Sequence, residues 1–401
     1  MKTIIILADG MSDYPIDRLG GKTPLMAART PAIDRLCAQS RCGRLVTVPD
    51  DMPPGSEVAN LAVLGYDVHR VYQGRGVLEA ASMGVDLADN DLAMRCNIIC
   101  IENGRIKNHS AGHIGSEESL QLVETLNEKL AGPRVRFHPG VSYRHLLVVK
   151  DGKNDFECTP PHDVPGAPFM DVMPRPKGEN GETTRLLTGL ILDSQKILGG
   201  HPVNQQRLSR GKDPGNSIWP WSPGKRPQMK TFLELYGVRG AVISAVDLIF
   251  GIGAYAGLQP VKVAGATGLI DTNYEGKARA ACEALADLDF VFLHIEASDE
   301  AGHEGNAELK VRTIEALDGR VIQPIVDCAT TMKEPLAIAL LPDHATPCAV
   351  RTHTRDAVPF LIQRPGDKAD AISEFNEETC RRGSYGLLHG DEFIRTLLAK
   401  K

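Results

Sequence analysis

Three apolar runs that end in acidic or histidine residues constrain the fold of this chain more than any other feature. They are "TIIILADG" near the start, "FVFLHIEASDEAGH" from Phe290 and "PLAIALLPDH" from Pro335. Continuous apolar runs of this length are typical of parallel strands that are buried on both faces. In open α/β sheets, ligands bind at the carboxyl ends of such strands. The sequence therefore predicts an α/β fold with a functional site where these strands end.

The polar residues at the strand ends are of the types that bind divalent metal ions. They are Asp9, Asp299, His303, Asp343, His344 and His353. Three carboxylates and three imidazoles are too many for one tetrahedral ion with an open position, and they favour two divalent ions. Mixed oxygen and nitrogen ligands favour Mn²⁺ or Zn²⁺ over Ca²⁺, and Mg²⁺ is also compatible. His294, inside the second strand, is expected to be a core histidine with satisfied hydrogen bonds.

A candidate nucleophile lies in the segment "MPPGSEVANLAVLGYD". The apolar spacing from Val58 predicts a helix that begins just after Gly55 and places Ser56 at its N-terminus. There the hydroxyl meets unpaired backbone N–H groups and the positive end of the helix dipole, where a phosphoryl group can also be held. Ser56 is therefore either a helix cap or a nucleophile. A metal site beside it would activate the hydroxyl and favour the second role.

The chain of 401 residues is long enough for two or three domains. Its middle part differs from both ends. It contains the alternating strand pattern "SYRHLLVVKDG", the helical pattern "SEESLQLVETLNEKLAG" and a stretch rich in proline, glycine and tryptophan. We predict a smaller α/β domain, residues 89–227, inserted into a discontinuous metal-binding domain formed by residues 1–88 and 228–401.

Charge and composition exclude several classes of partner. The 45 basic and 51 acidic residues give a net charge of −6 without a long run of one sign, which indicates neither nucleic-acid nor membrane-surface binding. No apolar run reaches the roughly twenty residues of a membrane span. Nine cysteines without a Cys-x-x-Cys pair indicate neither a disulfide framework nor a thiolate zinc site. We expect a soluble, cytoplasmic monomer.

Taken together, these segments resemble the archaeal-type, cofactor-independent phosphoglycerate mutases of the alkaline-phosphatase superfamily. The segments "ADGMSDYPIDRLGGKTPLMAARTPAIDRL", "PPGSEVANLAVLGYD", "EASDEAGHEGN" and "LPDHATP" with "RTHT" stand in the family's order over nearly the whole chain. The resemblance implies an alkaline-phosphatase-like, doubly wound sheet with an inserted domain. It also implies conversion of 3-phosphoglycerate to 2-phosphoglycerate through a phosphoserine at Ser56.

The resemblance further implies how the ligands are divided between two metal ions. One ion is expected at Asp299, His303 and His353. The other is expected at Asp9, Ser56, Asp343 and His344. When bound, the ions supply positive charge to the phosphoryl oxygens and lower the pKa of the serine hydroxyl.

Basic and histidine side chains are expected to bind the small phosphorylated substrate. The candidates are Arg75 in "GRG", His113 in "NHSAGHI", Arg144 in "YRHLL", His162 and Asp163 in "PPHD", and Lys225 and Arg226 in "PGKRP". Many family members carry an arginine-rich "RRAGR"-like stretch where this chain has "NHSAGHI". That difference removes guanidinium groups suited to bidentate recognition of a carboxylate or phosphate, and leaves the substrate open.

Other activities remain open at this point. A metal-dependent homoserine kinase would consume ATP in the presence of an amino-acid alcohol, whereas a mutase would move phosphate without ATP. The segment "GGKT" lacks the leading glycine of a phosphate-binding loop, since Ile16 stands in its place. A phosphomonoesterase or sulfatase would release its anion to water, and an inactive binding protein would carry no metal.

Overall fold

The computed structural model describes residues 1–178 and 181–399. Its strands, in chain order, are β1 (Lys2–Ala8), β2 (Arg41–Val46), β3 (Leu92–Glu102), β4 (Arg105–Asn108), β5 (Val135–His138), β6 (Arg144–Val149), β7 (Phe156–Glu157), β8 (Arg175–Pro176), β9 (Ser217–Lys225), β10 (Gly240–Ile243), β11 (Gln259–Val261), β12 (Phe290–Ile295), β13 (Leu336–Leu341), β14 (Val358–Gln363) and β15 (Gly386–His389).

The α-helices, in chain order, are α1 (Pro24–Ala27), α2 (Pro31–Cys37), α3 (Ser56–Val63), α4 (Val68–Val71), α5 (Arg75–Ser82), α6 (Ser116–Leu130), α7 (Glu182–Gly199), α8 (Pro202–Ser209), α9 (Phe232–Tyr236), α10 (Asp247–Tyr255), α11 (Tyr274–Asp287), α12 (Ala297–His303), α13 (Ala307–Leu317), α14 (Gln323–Thr331) and α15 (Glu392–Leu398). Short 3₁₀ turns lie at Asp17–Leu19, Phe169–Val172 and Thr379–Arg382, and a π-helical turn at Asp318–Ile322 joins α13 to α14.

These elements form two compact units. Unit 1 comprises Met1–Tyr72 and Gln228–Lys401, and unit 2 comprises Gln73–Pro227. The second junction lies where the sequence analysis placed it, but the first lies at 72/73 rather than 88/89. The reason is helix α5, which packs on β3 and β9 of unit 2. Its Gly76 approaches β3 so closely that a Cβ atom there would lie 2.8 Å from the carbonyl oxygen of Ala93.

The sheet of unit 1 has the strand order β11–β10–β12–β1–β13–β14–β2–β15. The central strand β1 runs parallel to both neighbours, with Thr3 opposite Phe290 and Lys2 opposite Leu336. Every residue of β1, β12 and β13 is buried, as expected for parallel strands with both faces covered. Strand β14 is antiparallel to β13 and β2, while β15 runs parallel to β2. The predicted α/β class and the predicted strands are confirmed.

The carboxyl ends of the central strands place the candidate ligands at one edge of this sheet. Asp9 directly follows β1, and Asp343 follows β13 after one intervening residue. Helix α12 begins just after β12 and carries Asp299 and His303 on successive turns. Because β1, β12 and β13 are parallel, these side chains start from the same edge.

Unit 2 combines helices with an antiparallel sheet. The sheet has the order β4–β3–β6–β5, and β9 pairs with β3 between Leu92 and Ile99, a stretch that also pairs with β6. The register between β3 and β9 shifts between Ala93 and Arg95, and such an irregularity changes the direction in which neighbouring side chains point. Helices α6 and α7 contribute apolar residues to a core that also contains Trp219 and Trp221.

Among residues 1–178 and 181–399, no helix combines the length and the hydropathy needed to cross a bilayer. Helix α7 has 18 residues but carries several charged side chains, including Arg185 and Asp193.

Candidate active site

Helix α3 presents the hydroxyl of Ser56 at its N-terminus. The helix begins at Ser56 as predicted, and Gly55 is its N-cap in an extended conformation. The remaining helix residues, 57–63, are all buried, whereas Ser56 is half-buried. The Ser56 hydroxyl oxygen lies 3.1 Å from Nε2 of His344. The hydroxyl therefore faces an imidazole rather than serving as the cap of its own helix.

Asp9, Asp343 and His344 form a first buried group beside this hydroxyl. Nε2 of His344 lies 3.7 Å from Oδ1 of Asp9 and 3.4 Å from Oδ2 of Asp343. Oδ1 of Asp343 accepts hydrogen bonds from the backbone N–H groups of Gly10 and His344. Asp343 is thereby held in one orientation, with its second oxygen directed towards the imidazole.

Asp299, His303 and His353 form a second group. Nε2 of His303 lies 3.1 Å from Oδ2 of Asp299 and 3.0 Å from Nε2 of His353. Oδ1 of Asp299 lies 3.5 Å from Nε2 of His353 and accepts a hydrogen bond from the Thr346 hydroxyl. The rings of His344 and His353 stack with their centroids 3.9 Å apart, so the two groups are in direct contact.

The charges within these groups shift the pKa values of their members. Burial, followed by the neighbouring carboxylates of Asp343 and Asp299, raises the pKa of Asp9 well above its ordinary value. Burial also acts to raise the pKa of Asp299, but hydrogen bonds from His303 and His353 outweigh it and hold that pKa well below the ordinary value. The hydrogen bond to Asp299 raises the pKa of His303 to about 9. Carboxylates this close to one another repel, and a bound cation reverses that repulsion.

The donor atoms match the requirements of divalent metal ions. Asp9, Asp343 and His344 offer ligand atoms within 4.8 Å of one another, and so do Asp299, His344 and His353. Oδ1 of Asp9 is buried and, within the described part of the chain, accepts no hydrogen bond. An unpaired buried carboxylate oxygen is costly, and a cation would satisfy it. Candidate divalent-metal sites therefore lie at this edge of the sheet, and the ring of His344 is within reach of both.

Two buried polar residues of the site were not singled out from the sequence. Nδ2 of Asn60 lies 2.8 Å from Oδ2 of Asp343 and 2.8 Å from the carbonyl oxygen of Ser56, so it links the first group to the serine helix. The signal for Asn60 was its position one helical turn after Ser56 in an otherwise apolar run. Thr346 lies 3.2 Å from Nδ1 of His344 as well as bonding to Asp299.

His294 is buried, as expected of a core histidine, but one of its partners is the candidate ligand Asp9. Its Nε2 lies 3.0 Å from Oδ2 of Asp9, and its Nδ1 lies 3.2 Å from the hydroxyl oxygen of Ser244. Burial lowers the pKa of the His294 ring to about 3. The apolar strand that surrounds His294 in the sequence gave no indication of this contact.

In unit 2, the charges of Arg75 at the start of α5 and Arg144 at the start of β6 both act on Arg95 in β3, and we call these three residues the arginine cluster. Burial lowers the pKa of Arg95, the carboxylate of Glu79 opposes this shift, and the positive charges of Arg75 and Arg144 add to it. The Arg95 guanidinium lies 4.5 Å from the centroid of the Trp221 ring and 2.9 Å from a carboxylate oxygen of Glu79. Mutually repelling guanidinium groups of this kind are suited to bind an anion.

Imidazole and aromatic rings lie beside the arginine cluster. The His162 ring centroid is 5.1 Å from that of Trp221 and 5.9 Å from that of His109. The His113 and His109 rings both contact Tyr143, at 6.5 Å and 5.5 Å between centroids. Burial, together with the charges of Arg95 and Arg75, lowers the pKa of His162, while Asp163 opposes this shift. The predicted residues Arg75, His113, Arg144, His162 and Asp163 are thus brought together, and Arg95 was missed.

Lys225 is the last residue of β9, and Arg226 directly follows it. Lys225 pairs with Leu92 in the sheet, whereas Trp221 pairs with Arg95. Arg226 lies 3.5 Å from Asp86 and donates to the carbonyl oxygen of Leu87. These contacts link Arg226 to the segment before β3, and its role in substrate binding stays a prediction.

Comparison with known proteins shows similarity over the whole chain. The family model of 2,3-bisphosphoglycerate-independent phosphoglycerate mutase matches residues 37–204. A protein of that name from Methanosarcina acetivorans is 52% identical over 401 residues, which cover 99% of this chain and 100% of the relative. A relative from Geobacter sulfurreducens, named as a probable 2,3-bisphosphoglycerate-independent phosphoglycerate mutase, is 47% identical over 398 residues, which cover 98% of each chain.

Two solved structures are similar to both units of the fold. A protein of Pyrococcus horikoshii matches with a TM-score of 0.83 and 31% identity, covering 100% of this chain and 98% of its own. The cofactor-independent phosphoglycerate mutase of Thermoplasma acidophilum matches with a TM-score of 0.71 and 26% identity, with 99% of each chain covered.

Proposed function

Because the chain belongs to the family of 2,3-bisphosphoglycerate-independent phosphoglycerate mutases, we propose that Ser56 is the residue that accepts the phosphoryl group. The reaction is the interconversion of 3-phosphoglycerate and 2-phosphoglycerate without bisphosphoglycerate. The observation that carries the role of Ser56 is its position as the first residue of α3, with its hydroxyl 3.1 Å from His344. Backbone N–H groups at a helix N-terminus are available to phosphoryl oxygens.

Two divalent ions are the cofactors of this proposal, with Mn²⁺ expected and Zn²⁺ or Mg²⁺ as alternatives. Asp9, Asp343, His344 and Ser56 would hold one of them. Asp299, His303 and His353 would hold the other. The ions would supply Lewis-acid charge to the phosphoryl oxygens and lower the pKa of the Ser56 hydroxyl.

Ser56 then acts as nucleophile in both directions. Its Oγ attacks the phosphorus of 3-phosphoglycerate, and the Oγ–P bond forms as the bond between phosphorus and the C3 oxygen breaks. The proton lost by the serine hydroxyl is balanced by the proton gained at the C3 oxygen, which leaves phosphoserine and glycerate. After the glycerate has turned, its C2 oxygen attacks the phosphoserine and releases 2-phosphoglycerate, which restores the hydroxyl.

The arginine cluster supports binding of the carboxylate and phosphate groups of the substrate. The segment "NHSAGHI" lacks the arginines that many family members carry there, but Arg75, Arg95 and Arg144 supply three guanidinium groups from elsewhere in unit 2. His113, His162 and Asp163 are proposed to contribute polar contacts. We propose that these guanidinium groups provide the anion recognition that the arginine-rich stretch of other family members would supply.

The relatives favour the mutase over the homoserine kinase alternative. Both curated relatives described above are named as phosphoglycerate mutases, and their similarity extends over both units. A kinase would in addition require a nucleotide donor.

A substrate panel on the Mn²⁺-reconstituted protein tests the proposal. We expect 2-phosphoglycerate from 3-phosphoglycerate without ATP, no ATP consumption with homoserine, and phosphate on the Ser56 peptide by mass spectrometry after rapid quenching. Ser56→Ala should retain the fold and lose activity by orders of magnitude. The matched control is Ser373→Ala, an exposed serine of unit 1, which should behave as wild type. Undiminished turnover in Ser56→Ala would refute the proposal.

A further inference from the structure

We propose that His294 is a positioning residue that holds the Asp9 carboxylate so that a single oxygen, Oδ1, is presented as a metal ligand. The inference rests on the proposed metal role of Asp9. It goes beyond that role because it explains which oxygen binds and what prevents the carboxylate from turning.

The contacts of the His294 ring define its hydrogen-bonding state. Oγ of Ser244 already accepts the backbone N–H of Val246 at 3.0 Å, so the serine proton is free to point towards Nδ1 of His294. The ring then carries its own proton on Nε2 and donates it to Oδ2 of Asp9 at 3.0 Å. In this state one carboxylate oxygen of Asp9 is occupied by a donor.

The other oxygen is left for a cation. Oδ1 of Asp9 is buried without a hydrogen-bond donor among the described residues, and it points to the side of His344, 3.7 Å away. With Oδ2 held by the imidazole, Asp9 would bind its ion through Oδ1 alone. A partner that orients a ligand in this way typically changes metal affinity by about 10- to 100-fold when it is removed.

The backbone around His294 is suited to hold the ring precisely in place. His294 lies in β12 directly opposite Leu7 of β1, and the amide of Asp9 bonds to the carbonyl oxygen of the next residue, Ile295. The carbonyl oxygen of His294 itself accepts a hydrogen bond from the buried Lys277 ammonium. Ligand and supporting residue therefore come from two paired central strands, which leaves little freedom between them.

The test compares two substitutions of the same residue. His294→Leu removes the donor, and His294→Gln keeps an amide N–H that can reach Oδ2. Protein stripped with EDTA is titrated with Mn²⁺ in a calorimeter, and the visible spectrum of the Co²⁺-loaded protein is recorded. We expect His294→Leu to weaken binding at the Asp9 site by about 10- to 100-fold and to change the Co²⁺ spectrum, with His294→Gln recovering most of the loss.

Two further variants separate positioning from general damage to the core. His145→Asn alters another buried histidine, in unit 2, and should leave Mn²⁺ affinity unchanged. Ser244→Ala removes the partner of Nδ1 without opening a large cavity, and should give a smaller loss of affinity than His294→Leu. If His294→Leu does not fold, the Mn²⁺ affinities of Ser244→Ala and His294→Gln are compared with that of wild type instead. Wild-type affinity in both variants would contradict the positioning role.

Asp9→Asn distinguishes failure of this inference from failure of the proposed metal site. If Asp9→Asn weakens Mn²⁺ binding while a folded His294→Leu protein binds as wild type, the positioning role is wrong and the metal site stands. If Asp9→Asn also leaves binding unchanged, the metal role of Asp9 is wrong and the inference is overturned with it.

Discussion

Replacing Lys310 by methionine should destabilise unit 1 more than any surface change, because this lysine is a fully buried cation. Its ammonium donates to a carboxylate oxygen of Asp13 at 2.9 Å and to the carbonyl oxygens of Ser12 and Thr346 at 3.0 Å and 2.9 Å. Both side chains of the ion pair are 0% exposed. The Asp13 carboxylate also accepts the backbone N–H of Cys348. Helix α13 is thereby joined to the loops that follow Asp9 and His344.

The magnitude follows from what the substitution leaves behind. Methionine fills most of the volume of lysine but leaves a buried carboxylate without its cation and two carbonyl oxygens without a donor. Removing one partner of a buried ion pair costs about 3–5 kcal/mol, because the remaining charge is uncompensated. For a unit of this size that corresponds to a decrease of roughly 6–20 °C in melting temperature. Differential scanning calorimetry of the metal-free protein measures this decrease without a contribution from bound ions.

Glu308→Gln provides the matched control on the same helix. Glu308 forms an ion pair with Arg18 in which the side chains are 62% and 50% exposed, so its loss should cost no more than about 1 kcal/mol. Adding Asp13→Asn to Lys310→Met removes the uncompensated charge and should recover part of the stability. The reasoning is refuted if Lys310→Met costs no more than Glu308→Gln, or if the double variant is less stable than Lys310→Met by the full amount of a second independent loss.

Three further changes test other parts of the structure. Arg95→Lys removes a guanidinium that lies over an aromatic ring, so KM for 3-phosphoglycerate should rise about tenfold or more. Arg134→Lys, in an exposed ion pair of the same unit, should change KM by no more than about twofold. Equal KM values for the two variants in steady-state kinetics would contradict a substrate-binding role of Arg95. Burial lowers the pKa of His145 to about 4, below the roughly 6.5 expected for the unfolded chain, so stability present above pH 6.5 is lost as the pH falls towards 4. Between pH 7 and pH 5, the free energy of unfolding of His145→Asn, measured by calorimetry, should fall by about 2 kcal/mol less than that of wild type. Equal decreases in the two proteins would contradict the lowered pKa of His145. EDTA should abolish activity and lower the melting temperature, and Mn²⁺ at 100 times its Kd should restore about 2.7 kcal/mol of stability; activity that persists in EDTA would argue against a metal-dependent reaction.

The strand ends and the serine helix could be predicted from the sequence because each depends on a local pattern. The apolar runs of β1, β12 and β13 are continuous, and a parallel sheet brings their carboxyl ends to one edge whatever the connections between them. The partners of those residues could not be predicted in the same way. His294 and Asp9 are far apart in the chain, and their contact depends on the pairing of β12 with β1. The boundary of unit 2 was placed too late for a similar reason, because α5 joins that unit through packing on β3 and β9.

The proposed substrate-binding residues show why a site assembled from distant positions is hard to predict from a sequence. A contiguous arginine-rich stretch is visible in a sequence, so its replacement by "NHSAGHI" reads as a loss of anion binding. The arginine cluster is assembled instead from positions 75, 95 and 144, and each of these arginines alone has the appearance of a surface charge. Sheet pairing brings Arg144 near Arg95, because β3 pairs with β6 at Arg144 and with β9 at Trp221, opposite Arg95. Arg75 lies on α5, which packs on β3 and β9. The proposed anion binding thus needs no shared motif, and we expect loss of the guanidinium to have its largest effect at Arg95, where burial lowers the pKa.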